Sequence, residues 1–208
     1  MVAKIDYHFS IISGWAYLGH SMLRDIAERQ RAEIRYRPFK LLDVFAVTGG
    51  APLPQRHPAR QTYRWYELQR WREKRGVPLT LRPAHIPLRP ALADRMIIAL
   101  QERGVDPFSF TLSCFQAVWL NDLDAGDEST LKTLASDLGL DGQALIEAAG
   151  TPEIADIYER NTQDAIAHDC VGSPCYVLNG EPFWGQDRLE LLEDALASGR
   201  APYRSDPS

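Results

Sequence analysis

Cysteine is scarce in this sequence. Three among 208 residues, at positions 114, 170 and 175, are too few for a disulfide framework, and none of them belongs to a Cys-x-x-Cys pair. No apolar run approaches the roughly 18 residues that mark a membrane-spanning helix. The opening "MVAKIDYHF" lacks the charged stretch and long apolar core of a secretory signal, so a reduced, cytoplasmic protein without a membrane partner is expected. A surplus of positive charge is missing too. The formal net charge is −5, which argues against nonspecific nucleic-acid binding. No His/Cys/Asp spacing resembles a zinc site, no Gly-rich strand-to-helix turn resembles a phosphate loop, and no internal repeat is found. What remains, 45% hydrophobic and 25% charged, is the composition of an ordinary soluble globular protein.

The ordering of elements carries more. "KIDYHFS" (4–10) alternates Ile5, Tyr7 and Phe9 with polar neighbours, as a strand does. From Trp15 to Arg31, Leu18, Met22, Leu23, Ile26 and Ala27 recur at helical spacing. "AEIRYRPF" (32–39) alternates again and is stopped by Pro38. Residues 46–60, "AVTGGAPLPQRHPAR", read as a Gly/Pro-rich loop. Helical patterns then follow at about 58–75, 90–103, 107–121, 128–137, 141–149 and 152–169. Pro90, Pro107 and Pro152 suit their first turns, Asp106 and Thr151 could cap, and Gly76, Gly104, Gly139 and Gly150 suit helix ends. Near the end, "PCYVLNG" and "EPFWG" flank Asn179-Gly180, a strong hairpin signal. "QDRLELLEDALAS" (186–198) closes as an amphipathic helix. The fold class is α/β: a thioredoxin-like βαβ…ββα order, from residues 1–42 plus 170–208, with a large all-helical domain inserted at 43–169. Neither end alone could form a four-stranded sheet, so the two must pack together.

Three places suggest chemistry. In "VGSPCYV", Pro174 opens a strand; in a thioredoxin-like layout that proline is cis, exposing the backbone of Ser173 to an extended peptide. Across the cleft, "FSIISGWAYLG" places Ser13 where a strand hands over to a helix. Ser13 is either a plain N-cap or a donor to a thiolate supplied by a ligand, whose charge the helix N-terminus also favours. The third place is "GQDR" (185–188), a capping turn or a grip on an amino-acid zwitterion through Gln186 and Asp187. A ligand with a γ-glutamyl end, a backbone to pair with Ser173 and a thiol for Ser13 is glutathione. A run of basic residues (Arg35, Arg37, Lys40, Arg56, Arg60, Arg64, Arg70, Arg72, Lys74, Arg75) is either a solvated face or an anion-attracting mouth. Cys114, Cys170 and Cys175 read as buried structural thiols. His8 lies near Ser13 in sequence but reads as a structural histidine, and the tryptophans as core or pocket wall.

Taken together these motifs resemble the 2-hydroxychromene-2-carboxylate isomerase family, relatives of kappa-class glutathione transferases and DsbA-like proteins. The likeness runs almost end to end: "SGWAYLG", "RPFKLLDVF" (37–45, similar to that family's strand-two ending), "PARQTYRWYELQRW" (58–71) and, most specifically, "GSPCYVLNGEPFWGQDRLELLEDAL" (172–196). The resemblance implies glutathione as a bound cofactor, with Ser13 as the catalytic residue. Ser173, Pro174, Gln186, Asp187 and Arg60 would complete the glutathione site, and Lys40, Arg64, Tyr63 and Trp15 would bind a small aromatic carboxylate. It also implies a cytoplasmic homodimer in the catabolism of naphthalene-like aromatics. The reaction implied is thiolate addition to the enone of trans-o-hydroxybenzylidenepyruvate, bond rotation, and expulsion of the thiol.

Four positions depart from the family pattern. Ser10 stands for an aspartate, Gly14 for a proline, Gly50 for an asparagine and Arg60 for a lysine. Two alternatives therefore stand beside the isomerase: a kappa-like glutathione transferase acting on another electrophile, and a non-catalytic module that binds glutathione or thiol peptides. A DsbA-like disulfide oxidase is disfavoured, because disulfide exchange needs a thiolate on the enzyme.

Overall fold

The computed structural model describes residues 2–86 and 89–206. Strand β1 (Lys4–Phe9), helix α1 (Gly14–Gln30) and strand β2 (Glu33–Pro38) form the expected βαβ unit. The two strands are parallel, with Tyr7 opposite Tyr36. Strands β3 (Cys175–Leu178) and β4 (Glu181–Trp184) make a hairpin. Asn179 and Gly180 both take positive φ, 53° and 86°, as a type I′ turn requires. β3 pairs antiparallel with β1, giving the sheet order β2-β1-β3-β4. The two ends of the chain thus share one sheet, and the arrangement is thioredoxin-like.

Between the two sheet-forming segments lie α2 (Leu41–Thr48), α3 (Pro58–Arg75), α4 (Ala91–Glu102), α5 (Phe108–Trp119), α6 (Glu128–Asp137), α7 (Gly142–Ala149) and α8 (Pro152–Ala167). A 3₁₀ turn at Gln186–Arg188 leads into α9 (Leu189–Ser198). The proposed domain division at 43 falls two residues inside α2, while residues 1, 207 and 208 of the outer segments lie outside the described residues.

One stretch needs correction. Residues 37–45 do not simply end a strand, and 46–60 is not one loop: α2 runs to Thr48, a 3₁₀ turn spans Leu53–Gln55, and α3 begins at Pro58. An eight-residue helix offers barely two turns of periodicity, and the adjacent Gly49, Gly50 and Pro52 outweighed it.

Ile5, Tyr7 and Phe9 of β1 are fully buried. Tyr7 stacks on Phe9 at 4.3 Å and on Tyr176 of β3 at 5.4 Å between ring centroids. Helix α1 lays Leu18, Leu23, Ile26 and Ala27 on this layer. Gly19 permits the close approach. A Cβ there would stand 2.7 Å from the Gln186 Cβ, 2.8 Å from the Tyr176 hydroxyl and 3.2 Å from Leu189 Cδ1. Gly19→Ala is accordingly expected to cost about 1–3 kcal/mol by overpacking, of which better helix propensity returns less than about 1 kcal/mol. Urea denaturation checks this; a variant as stable as the parent would mean that α1 does not seat so tightly.

Candidate active site

The chain leaves β1 at Phe9, crosses residues 10–12 and enters α1 with Ser13 as its N-cap. The Ser13 Oγ accepts the Ala16 N–H at 3.2 Å and donates its proton to the Ser173 carbonyl at 2.8 Å. The Ser173–Pro174 peptide is cis. The Ser173 Oγ in turn accepts the Ser10 N–H at 3.1 Å, and the Ser13 N–H donates to the Ser10 carbonyl at 3.0 Å. Cap and cleft residue are therefore one and the same: a single oxygen ends the helix on one side and faces the cis-proline on the other. Ser13 and Ser173 are 6% and 8% exposed.

The third motif joins the same proline. The Gly185 N–H donates to the Pro174 carbonyl at 2.9 Å, and the Arg188 N–H to the Gly185 carbonyl at 3.0 Å. Gln186 is buried, its amide oxygen accepting Arg75 Nε at 2.8 Å while its backbone carbonyl accepts another nitrogen of the same guanidinium. Asp187 is held by the neighbouring Arg188 at 2.7 Å. The turn that carries Gln186 and Asp187 thus sits beside Pro174, with Gln186 committed to the protein.

The basic run divides once placed. Arg35 and Arg37 both pair with Asp6, Lys40 with Glu159 at 2.6 Å, Arg70 with Glu67, and Arg75 with Glu190 at 2.8 Å. Arg60 and Tyr63 are exposed on α3. Arg64 is different. Its guanidinium lies 5.8 Å from the Trp15 ring, 5.3 Å from Trp65 and 5.9 Å from Trp119, and among the described residues no acid pairs with it. Burial, with the like charge of Arg56, pushes its pKa down to about 10. A desolvated cation caged by three indoles beside the helix that Ser13 caps is a ready anion holder. Of the expected substrate residues, the fold brings together Arg64 and Trp15, while Lys40 pairs with Glu159 and Tyr63 is exposed.

Two departures from the family pattern acquire physical causes. A Cβ at Gly14 would meet the Trp119 ring at 3.1–3.2 Å; a proline there would press on an indole whose Nε1–H is tied to the Ile11 carbonyl at 3.2 Å. A Cβ at Gly50 would lie 2.2 Å from Phe45 Cδ1, so the phenyl ring fills the space an asparagine side chain would take. A third involves a residue that sequence reasoning missed. Asp94 of α4 is fully buried and accepts from the Tyr158 hydroxyl at 2.9 Å, the Ser10 hydroxyl at 3.3 Å and the Ile11 N–H at 3.5 Å. An aspartate at position 10 would set a second carboxylate against it. The available signal was an acid next to Ala93 in a helix whose Ala93, Met96, Ile97 and Ile98 are buried.

The histidines and thiols are structural in their surroundings. His8 and His20 are 1% exposed, and burial pushes both pKa values down to about 4. The His20 Nε2 bonds the Phe108 carbonyl at 3.2 Å, and its ring stacks on Phe108 at 4.8 Å. The Cys170 thiol bonds the Cys175 sulfur, which with burial pushes it up; all three cysteines are free and buried. Both histidine pKa values are depressed in the fold, so their contribution is fully present above the unfolded value of 6.5 and lost as pH falls through about 4. The size is on the order of 3 kcal/mol each. Asp94 opposes them over part of the range: raised by burial to about 7, it contributes fully below its ordinary 3.8 and less as pH rises through 7. Denaturation midpoints between pH 7 and 4 test this, with His20→Gln expected to show a shallower acid loss than the parent; equal slopes would show that His20 is not buried neutral.

A cis-proline facing the N-terminus of the first helix, on a sheet built from both chain ends, defines a thioredoxin-like domain of the DsbA type. The DsbA-like thioredoxin domain model matches residues 4–197. A 2-hydroxychromene-2-carboxylate isomerase from Sphingobium xenophagum is 31% identical over 198 residues, covering 94% of this chain and 99% of that protein. Glutathione s-transferase kappa 2 from Caenorhabditis elegans is 22% identical, over 93% of this chain and 91% of the other. A solved 2-hydroxychromene-2-carboxylate isomerase superposes with a TM-score of 0.79 at 25% identity, covering 94% of this chain and 95% of that one. The chain belongs to the DsbA-like thioredoxin family and, within it, to the family of the 2-hydroxychromene-2-carboxylate isomerases.

Proposed function

We propose that this chain is a glutathione-dependent isomerase that interconverts 2-hydroxychromene-2-carboxylate and trans-o-hydroxybenzylidenepyruvate. The observation that carries the reading is a serine that caps α1 against the cis-proline, with Arg64, unpaired with any acid among the described residues, held over Trp15 of the same helix. Bound glutathione would supply a thiolate able to add to a conjugated enone and leave again, freeing the double bond to rotate. The residues present fit such a ligand. Ser13 has one proton, now given to the Ser173 carbonyl; redirected to a sulfur, it and the α1 N-terminus favour the charged form. Ser173, Pro174, Asp187 and the 185–188 turn would hold the cofactor, and the family resemblance adds the exposed Arg60. Arg64 takes the substrate carboxylate, and Trp15 and Trp119 keep water from it. Lys40 acts only if its Glu159 pairing opens, and Gln186 serves by holding the turn. The family likeness alone extends this reading to a homodimer, to the cytoplasm and to naphthalene-like aromatics.

Calorimetry with glutathione, followed by ultraviolet absorbance after adding 2-hydroxychromene-2-carboxylate, tests the proposal. Binding with glutathione-dependent appearance of the open enone is the expected result. Stoichiometric loss of free thiol to a stable thioether would instead indicate a kappa-like transferase, and binding without turnover a glutathione-binding module.

A further inference from the structure

Ser10 is the residue through which the Ser13 turn is held. Its carbonyl accepts the Ser13 N–H at 3.0 Å, its N–H reaches the Ser173 Oγ at 3.1 Å, and its hydroxyl donates to Asp94 at 3.3 Å. Asp94 also takes the Ile11 N–H at 3.5 Å and the Tyr158 hydroxyl at 2.9 Å. It therefore ties two consecutive residues of the loop to both α4 and α8, with no solvent exposure. A carboxylate sealed from water is costly, and an apolar side chain of similar volume would serve packing better. Stability does not account for it; the loop it grips does.

We propose that Asp94 is a positioning residue for Ser13, acting through Ser10 and Ile11, and that its charge state sets how firmly the Ser13 turn is held. As a carboxylate it accepts all three bonds with the strength of a charged acceptor; protonated, it donates to one of the two hydroxyls and holds the Ser10 and Ile11 contacts without that charge, so its hold on the loop weakens. The groups facing it are few. Tyr158 comes from α8 and Cys114 from α5, with Arg95, Asp43 and Lys40 acting on Tyr158, Lys40 at 5.9 Å from its ring. Burial sets the Asp94 pKa at about 7, so the grip changes within the neutral range.

The inference rests on the Ser13 reading for its catalytic meaning but not for its first test. The Ser13 amide resonance, followed against pH without glutathione, is expected to titrate near neutrality in the parent and to stay flat in Asp94→Asn. With glutathione bound, thiolate absorbance at fixed pH is expected to fall about tenfold in Asp94→Ala, the effect of a rise of about one unit in the thiol's pKa when the Ser13 hydrogen bond to the charged form is weakened. Asp94→Asn, which keeps an acceptor oxygen, should fall between the two, and glutathione affinity should change less than about threefold. A Ser13 amide that titrates identically in Asp94→Asn, or an unchanged thiolate signal in Asp94→Ala, overturns the proposal. If the parent does not bind glutathione, the Ser13 reading fails, and the amide titration still decides the role of Asp94.

Discussion

Ser13→Ala is expected to lower glutathione-dependent turnover by about 10²-fold, the effect of removing one donor aimed at a developing or stored negative charge. Two functions disappear with the hydroxyl. The Ala16 N–H loses its cap acceptor and the Ser173 carbonyl loses its donor. Loss of an N-cap costs about 1 kcal/mol, too little to unfold an ordinary domain, so stability and activity separate cleanly. Ser13→Thr retains a hydroxyl and should recover much of the rate if its methyl is accommodated. Steady-state rates at saturating glutathione, with a denaturant titration on the same samples, make the comparison. A Ser13→Ala enzyme within about twofold of the parent, yet about 1 kcal/mol less stable, would leave Ser13 as a helix cap and nothing more.

Arg64→Met should move activity and stability in opposite directions. The guanidinium sits among Trp15, Trp65 and Trp119 with no acid paired to it among the described residues, and burial with the nearby Arg56 charge lowers its pKa. An apolar side chain of similar length relieves the desolvation and is expected to raise stability by about 1 kcal/mol. A charge-assisted bond to a substrate carboxylate contributes about 1.5–3 kcal/mol, so kcat/KM should fall by about 10- to 10²-fold, while glutathione affinity holds. Thermal melting and kinetics with varied substrate test both halves. A variant that is less stable and equally active would show that Arg64 is a packing residue whose stem matters and whose charge does not.

The sheet and most helices were legible because their signals are local: alternation in 4–10 and 32–39, the Asn179-Gly180 turn, and capping residues such as Thr151, whose hydroxyl accepts the Ile154 N–H at 3.4 Å. Helix α2 was not, since two turns beside paired glycines carry little periodicity. In the site, Ser13 and Pro174 could be picked out because each occupies a strand–helix or strand junction whose chemistry depends on the fold alone. The sorting of the cations could not. Whether Lys40 or Arg64 is free depends on Glu159 standing opposite one and three indoles surrounding the other, contacts between elements far apart in the chain. Asp94 was hidden for the same reason. A carboxylate in a helical pattern reads as a surface residue until the tertiary fold places Ser10 and Tyr158 against it. The departures at Gly14 and Gly50 stood in the sequence only as differences from the family pattern; the Trp119 and Phe45 rings beside them supply a local cause.

The shared sheet has a consequence for how this molecule is made. Of its two inner strands, β1 leaves the ribosome well before its antiparallel partner β3, which follows only after the whole helical insertion has been synthesised. The bond between Ser13 and Ser173 closes a span of 160 positions, a loop whose entropy must be lost before any contact across it is gained. The helices between them are built from local contacts and can form during synthesis, while β1 waits with one edge open. A nascent chain stalled before residue 173 therefore has neither the candidate site nor a finished sheet.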